Sequence, residues 1–305
     1  MTAGTRDIGF EPLYFTARDG LRLHARRYPA ERPRGTPVLC LPGLTRNSKD
    51  FHAAALHLSS KDGGSRDVYA IDYRGRGLSE WAPDSKSYTV HTECIDVLDF
   101  MTLTGLERAH VIGTSRGGLI SMVMALMRPA ALASVTLNDI GPVIERDGLV
   151  RIVGYVGRVP LPADWTEAQK LVAGINRVQF PRVSDAEWLE VAHAWFNDEN
   201  GLPTPGYDPK LADAISMTSF EDGIPTMWPQ FEALTNRPLL AIRGETSDIL
   251  SAQTHALMAE KHPGMESLVV PQQGHAPLLR DEPTLAAITA FLEAAERFKA
   301  PVSAG

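Results

Sequence analysis

Short apolar runs alternate with longer segments of helical period along much of this chain. The runs that indicate strands are residues 37–41, 68–71, 109–112, 133–137, 238–242 and 268–270. Strands that are apolar on both faces belong in a parallel sheet with helices on two sides, because only a crossover helix can bring the chain back parallel. The alternation therefore predicts an α/β fold with a mostly parallel central sheet flanked by helices.

Two more strands are predicted ahead of this alternation. Residues 13–17 and 21–28 are separated by Arg18, Asp19 and Gly20. Glycine supplies the positive φ that a tight hairpin turn requires. We therefore expect an antiparallel hairpin at an edge of the sheet.

The segment 141–236 interrupts the alternation. It has helical periods but no convincing strand. Helix starts are predicted at Thr166 and Ser184, each followed three residues later by the Gln or Glu of a capping box. We expect residues 1–140 and 237–305 to form the α/β core, and residues 141–236 to form an inserted helical cap.

Residues 113–117 form the sharpest local motif, a G-x-S-x-G between a predicted strand and a predicted helix. A turn at this place is so tight that its neighbours must be small, and it holds the Ser115 hydroxyl above the carboxyl edge of the sheet. The segment lacks the ending of a Walker loop and the G-x-G-x-x-G spacing of a dinucleotide site. Ser115 is therefore the candidate nucleophile, with a plain glycine-rich helix start as the alternative.

His275 is the candidate base for this serine. A serine hydroxyl is a poor nucleophile at neutral pH, so it needs an imidazole to take its proton and a carboxylate to orient that imidazole. Among nine histidines, His275 directly follows the last predicted strand, on a loop at the same sheet edge as Ser115. The others lie within or at the ends of predicted strands and helices, where a satisfied hydrogen bond is the ordinary role.

Asp248 is the favoured carboxylate. It lies on the loop after the strand 238–242 and precedes His275 by 27 residues, about one helix and one strand, so the two loops can meet over Ser115. Asp139 is the rival, because it follows a strand nearer the serine, and Glu245 is a weaker one. The predicted catalytic set is Ser115, Asp248 and His275.

Two backbone amides are predicted to stabilise the oxyanion. One donor of this kind contributes roughly 3–4 kcal/mol to the transition state of acyl transfer. We assign the N–H of Arg116, next to the nucleophile, and the N–H of Leu44, on the loop after the strand 37–41. A plain Pro-Gly turn is the alternative for that loop.

The chain resembles members of the α/β-hydrolase superfamily. Within it, the resemblance is to the capped serine-hydrolase branch, which contains esterases, lactonases and carbon–carbon bond hydrolases. The resemblance runs from about residue 10 to 298 and depends on five ordered motifs. They are residues 41–44, residues 72–79, the G-x-S-x-G at 113–117, the G-x-x-x-D at 244–248, and Gly274 with His275. The resemblance implies that Asp72 and Arg74 fix a turn and take no part in catalysis.

The chain departs from the family pattern at two places. It has Pro42 and Gly43 where relatives often have His-Gly, and Arg116 where they often have Met, Leu or Gln. The guanidinium of Arg116 would either bind a carboxylate or form a salt bridge on the surface. A serine at position 115 disfavours the haloalkane dehalogenase and epoxide hydrolase branches, which use a carboxylate nucleophile.

Composition narrows the class of partner. The 305 residues include 30 lysines and arginines against 37 acidic residues, a net charge of −7 with no block of like charge. This balance disfavours nucleic acid and anionic membranes and favours a small-molecule substrate. Two cysteines, Cys40 and Cys94, are too few for a disulfide framework or a four-ligand zinc site. Because we find no secretory signal and no long apolar span, we expect a cytoplasmic protein. We expect it to be a monomer or a homodimer.

The cap suggests the nature of the substrate. Four of the five tryptophans fall in it, namely Trp165, Trp188, Trp195 and Trp228. A cap over the sheet edge forms an apolar pocket wall, which favours a small, largely apolar substrate. Aromatic residues at helical spacing usually pack the core of their own domain, so none is assigned to binding.

The sequence thus predicts a serine hydrolase without a cofactor or metal, cleaving a carboxylic ester or lactone through an acyl-enzyme. The alternatives on the same triad are a carbon–carbon bond hydrolase, a thioesterase, an amidase or an acyltransferase, because specificity depends on the cap. A ligand-binding protein without turnover is a third hypothesis, and the intact serine, carboxylate and histidine argue against it.

Overall fold

A computed structural model of the chain describes residues 9–216 and 224–298. Its strands are β1 (Glu11–Thr16), β2 (Arg22–Tyr28), β3 (Val38–Leu41), β4 (Val68–Asp72), β5 (Ala109–Thr114), β6 (Leu132–Asn138), β7 (Asn197–Glu199), β8 (Leu202–Thr204), β9 (Leu239–Gly244) and β10 (Met265–Val270). Eight of them form one sheet in the order β1-β2-β4-β3-β5-β6-β9-β10. Within this sheet, β1 and β2 form an antiparallel hairpin, β2 pairs with β4 antiparallel, and the remaining pairs are parallel. The mostly parallel α/β sheet and its edge hairpin are confirmed.

Helices cover this sheet, and several more lie in the described parts of the segment between β6 and β9. They are α1 (His52–Ser59), α2 (Val90–Leu103), α3 (Arg116–Met127), α4 (Arg146–Tyr155), α5 (Trp165–Asn176), α6 (Asp185–Trp195), α7 (Leu211–Ser216), α8 (Trp228–Glu232), α9 (Ala252–Lys261) and α10 (Glu282–Glu296). In the described ranges no helix is both long and apolar enough to cross a membrane.

Two apolar cores lie on opposite faces of the sheet. On β5, Val111 packs into the core that contains residues of α2 and α3, and its neighbour Ile112 packs into the core that contains residues of α1 and α10. Successive residues of a strand point to opposite faces, so a strand covered on both sides must be apolar throughout. This is why the central strands are continuous apolar runs in the sequence.

The segment predicted as the cap has its own small core. Val172 of α5 packs with Trp188 and Ala192 of α6 and with Phe180 between them. The described parts of this segment are 141–216 and 224–236. They include the hairpin β7–β8, so the expectation of no strand here is wrong. Its strands have three residues each, which is too short for a periodic pattern.

The starts of α5 and α6 test the two capping boxes. Ser184 accepts a hydrogen bond from the backbone N–H of Glu187, and the Glu187 carboxylate accepts one from the Ser184 backbone N–H, so this box is confirmed. The prediction at Thr166 is wrong, because Asp164 caps α5 by accepting from the Glu167 N–H. Aspartate is a stronger N-cap than threonine, so the helix begins two residues earlier.

Candidate active site

The turn between β5 and α3 presents Ser115. Its backbone has φ 50° and ψ −112°, a conformation that residues with a side chain rarely adopt. A Cβ on Gly117 would lie 2.0 Å from the Leu41 carbonyl oxygen, and one on Gly113 would lie 2.5 Å from the Gly117 backbone. Both glycines are therefore required for strand and helix to pack this closely, which is the arrangement that the G-x-S-x-G motif predicts.

Ser115 and His275 are in hydrogen-bond contact. His275 lies on the loop after β10, and its Nε2 is 2.9 Å from Ser115 Oγ. The other ring nitrogen, Nδ1, is 2.8 Å from Oδ2 of Asp139, on the loop after β6. The three side chains thus form a continuous relay from hydroxyl to imidazole to carboxylate.

Asp139 is fully buried and is held by three donors. Besides the His275 ring, the Gly244 backbone N–H donates to Oδ1 at 2.7 Å and the Ser247 hydroxyl donates to Oδ2 at 2.6 Å. A buried carboxylate with its lone pairs satisfied in this way is fixed in position. It can therefore hold the imidazole in one orientation.

The pairing of His275 with Asp248 is corrected by this geometry. Arg151 of α4 binds both oxygens of Asp248, at 2.6 and 2.8 Å. Burial raises the pKa of Asp248, but the hydrogen bonds and charge of Arg151 outweigh burial and leave the pKa below its usual value. Glu245, the weaker rival, accepts from the Gln272 backbone N–H at 2.7 Å.

The order of the strands explains why Asp139 takes this place. β6 lies directly beside β5, whereas β9 is one strand further away. Thr114 pairs with Asn138 in the sheet, and the Ser115 N–H donates to the Asn138 carbonyl at 3.0 Å. Ser115 and Asp139 therefore each follow one member of the pair Thr114–Asn138, and their loops leave the sheet side by side.

The amides predicted for the oxyanion lie on two sides of the serine. Arg116 is the first residue of α3, where the N–H has no partner within the helix. A Cβ on Gly43 would lie 3.8 Å from Ser115 Cβ, so the loop that carries Leu44 passes close to Ser115. This placement is compatible with the predicted donors.

The Arg116 side chain forms an internal salt bridge. Its Nε lies 2.5 Å from Glu93 Oε2, and its Nη2 donates to the Tyr88 carbonyl at 3.0 Å. Glu93 also binds Arg76 at 2.7 Å, and Arg76 Nε donates to the Leu44 carbonyl at 2.8 Å. The guanidinium therefore forms a salt bridge, but the expectation of a surface position is wrong, because Glu93 is fully buried.

Arg76 and Glu93 were not among the predicted site residues. Both side chains are fully buried, and together they connect the Leu44 loop to the first residue of α3. Burial raises the pKa of Glu93, but the two guanidinium groups outweigh it and leave the pKa below its usual value. Arg76 lies within the motif 72–79, so its sequence position was a usable signal. Glu93 is one of several acidic residues on a helix and gave no such signal.

Asp72 and Arg74 hold the loop after β4. Asp72 accepts hydrogen bonds from the backbone N–H groups of Ser48 and Leu78, at 2.7 and 2.9 Å. Arg74 binds both oxygens of Asp96 at 2.8 Å. These contacts fix a turn, as the resemblance implies.

A cavity of about 750 Å³ contains Ser115 and His275 in its wall. Its apolar lining includes Leu44, Ile152, Phe180, Trp188, Trp195 and Leu278. Residues of the core and of the segment 141–236 contribute together. The other two tryptophans of the segment 141–236, Trp165 and Trp228, pack against other aromatic rings.

Comparison with known proteins agrees with this architecture. A family model described as the alpha/beta hydrolase fold matches residues 36–282. The chain is 31% identical over 269 residues to 3-hydroxybutyrate-oligomer hydrolase of Cupriavidus necator, across 85% of this chain and 88% of that protein. It is 27% identical over 267 residues to 2-(acetamidomethylene)succinate hydrolase of Mesorhizobium japonicum, across 87% and 90%.

A solved structure has the same fold over nearly the whole chain. An alpha/beta hydrolase from Novosphingobium aromaticivorans superposes with a TM-score of 0.85 at 41% identity, covering 93% of this chain and 98% of that one. The order of the strands, the turn at Ser115, the family model and the relatives agree. The chain belongs to the alpha/beta hydrolase family.

Proposed function

We propose that this protein is a serine hydrolase that cleaves a carboxylic ester or lactone through an acyl-enzyme on Ser115. The observation that carries the proposal is the contact of Ser115 Oγ with His275 Nε2 and of His275 Nδ1 with Asp139. In this proposal Asp139 replaces Asp248 as the third member of the triad.

Each group has a distinct task in the proposed reaction. His275 takes the proton of Ser115 as Oγ attacks the ester carbonyl, and Asp139 stabilises the imidazolium that forms. The N–H groups of Leu44 and Arg116 donate to the developing oxyanion. The imidazolium then protonates the leaving alcohol, and a water molecule activated by His275 releases the acyl group.

One comparison favours an ester over the other bonds that such a triad can cleave. The relative at 31% identity is named as a hydrolase of 3-hydroxybutyrate oligomers, and such oligomers are joined by ester bonds. The cavity beside Ser115 is largely apolar, which suits the aliphatic chain of a short acyl group.

The test combines active-site labelling with a substrate panel. A fluorophosphonate probe should label the wild type and leave Ser115→Ala unlabelled. p-Nitrophenyl esters and simple lactones should then be hydrolysed by the wild type alone, in preference to matched amides and a vinylogous 1,5-diketone. Labelling without turnover of any ester or lactone would contradict the proposed substrate class, and an unlabelled wild type would contradict the nucleophile.

A further inference from the structure

Charges in the wall of the cavity are mostly neutralised by one another. Arg46 binds Asp50, with Nε 2.8 Å from Oδ2. Arg280 lies 3.2 Å from Glu187 and 3.5 Å from Glu190. These arginines therefore present little net charge to a ligand.

Arg26 and Lys49 also line the cavity and are different. In the part of the chain that the structure describes, neither forms an ion pair with a carboxylate. Lys49 Nζ donates to two neutral acceptors, the Phe196 carbonyl and Asn197 Oδ1. Arg26 lies over the ring of Phe10, 4.1 Å from its centroid, and its Nε is buried without an acceptor among the described residues.

The nearby carboxylate of Asp72 does not neutralise them by contact. Its oxygens accept from His24 Nδ1 at 2.7 Å and from the backbone N–H groups of Ser48 and Leu78. Burial is the main cause that lowers the pKa of Lys49, and the charge of Arg26 is a further cause. The pKa of Lys49 is lowered to about 8, so the ammonium is still mostly protonated at neutral pH. Two positive charges thus remain in the wall of a largely apolar cavity, where an anion gains more from them than it would in bulk water.

The sheet register places Arg26 far from the nucleophile. Arg26 of β2 pairs with Ala70, Ala70 pairs with Cys40, and Cys40 pairs with Ile112 of β5. Three strand spacings and the three residues from Ile112 to Ser115 separate the two Cα atoms by roughly 17 Å. The charged end and the reacting end of the cavity are therefore separate regions.

We infer that Arg26 and Lys49 form a binding site for a carboxylate of the substrate, on the order of 10 Å from the bond that is cleaved. This inference rests on the proposed function and names its substrate class: an ester oligomer of a short hydroxy acid with a free terminal carboxylate. Arginine and lysine bind carboxylates through charge-assisted hydrogen bonds, and the apolar wall between the two ends accommodates the aliphatic units.

The test compares two substrates that differ in one charge. A linear 3-hydroxybutyrate trimer is offered as the free acid and as its methyl ester, and cleavage of the internal esters is followed by chromatography. In the wild type, kcat/KM should be about tenfold or more higher for the free acid, the effect of one hydrogen bond to a charged group. Lys49→Met and Arg26→Met should each lower the ratio of acid to methyl ester about tenfold.

Arg22→Met is the matched control, because Arg22 lies on the same strand with an exposed side chain. It should leave both rates and their ratio unchanged. A wild type that hydrolyses both substrates equally, or variants that retain the wild-type ratio, would overturn the carboxylate site. Because a ratio is measured, a general loss of folded protein does not imitate the expected result.

Binding to Ser115→Ala separates this inference from the proposed function. Calorimetry should detect the trimer acid bound to Ser115→Ala, with about tenfold weaker binding when Lys49→Met is added. If Ser115→Ala binds the trimer acid in this way but the wild type hydrolyses no ester, the carboxylate site is retained and the proposed ester hydrolase is rejected. If the wild type hydrolyses esters but Ser115→Ala binds the trimer acid equally well with and without Lys49→Met, only the carboxylate site is rejected.

Discussion

Asp139 combines full burial with three hydrogen bonds, whereas Asp248 is partly exposed and bound to Arg151. An orienting carboxylate must keep one geometry while the charge of the imidazole changes. Asp139 meets this requirement through the Gly244 amide and the Ser247 hydroxyl. The two aspartates therefore make separable predictions.

We expect Asp139→Asn to lower kcat about ten-thousand-fold, because an amide donor favours the wrong imidazole tautomer. Asp248→Asn should change kcat by about threefold or less, since it removes only a partly exposed ion pair. Steady-state ester hydrolysis by both variants, with unfolding midpoints as a check of the fold, measures the difference. The reverse ranking would restore Asp248 to the triad.

Ser115 itself is held in an unfavourable backbone conformation, with positive φ. Such a residue costs on the order of 1–3 kcal/mol, which the surrounding structure must supply. Glycine would relax the backbone at this position, whereas alanine would retain the strain.

Ser115→Gly and Ser115→Ala should therefore both be inactive yet differ in stability. The glycine variant should unfold with a free energy about 1 kcal/mol higher than the alanine variant. Urea unfolding followed by circular dichroism provides the comparison. A glycine variant of equal or lower stability would mean that the conformation of Ser115 stores no strain.

At the scale of elements, one buried ion cluster connects the two predicted oxyanion donors. Glu93 of α2 binds the side chains of Arg76 and Arg116, and Arg76 also holds the Leu44 carbonyl. Glu93 touches no reacting atom in the proposed mechanism, so it is a positioning residue. Its influence on catalysis should pass through the geometry of two loops.

Glu93→Gln should lower kcat about 10- to 100-fold with little change in KM, because the oxyanion donors act mainly in the transition state. Asp96→Asn is the matched control: it breaks a second buried ion pair on α2, with Arg74, that does not reach either donor. Glu93→Gln should lose about 3–5 kcal/mol of stability, because both buried guanidinium groups lose their carboxylate, whereas Asp96→Asn should lose less because Arg74 keeps its ion pair with Asp19. Equal effects on kcat in the two variants would reduce Glu93 to a structural role.

The elements that could be predicted from sequence are those with a strong local pattern. The eight strands of the sheet have apolar runs or a hairpin turn, and the turn at Ser115 has its required glycines. The predicted pairing of Asp248 with His275 is wrong, because a sequence can place loops at one edge of a sheet but does not give the order of the strands. The link through Glu93 joins residues distant in sequence, for which no local pattern exists.

For the whole molecule, Glu296 at the end of α10 contacts β5 and the loops that lead into β3 and β4. Its carboxylate accepts from the Thr36 N–H at 2.6 Å, from Arg66, and from His110 Nε2 at 3.2 Å. Burial raises the pKa of Glu296, but these partners outweigh it and lower the pKa to about 2. Burial lowers the pKa of His110 to about 4. One cluster therefore responds to acid through two groups.

Both groups bind protons less readily in the folded protein than in the unfolded chain. The free energy of unfolding should accordingly fall as the pH drops from 6.5 to about 4 for His110, and from 4.5 to about 2 for Glu296. Glu296→Gln should be less stable at pH 7 and should lose less further stability below pH 4.5. Urea unfolding from pH 7 to pH 3 measures both slopes. An unchanged slope below pH 4.5 in the variant would exclude Glu296 as the cause.

The separation of Arg26 and Ser115 across three strands has a consequence for the pattern of products. An oligomer anchored by its acid terminus presents the bond at a set length from that terminus, whatever the number of units beyond it. Cleavage would then be a measurement from one end, and fragments shorter than the measured length would accumulate. Which fragment remains at the end of the reaction would report the distance between two side chains.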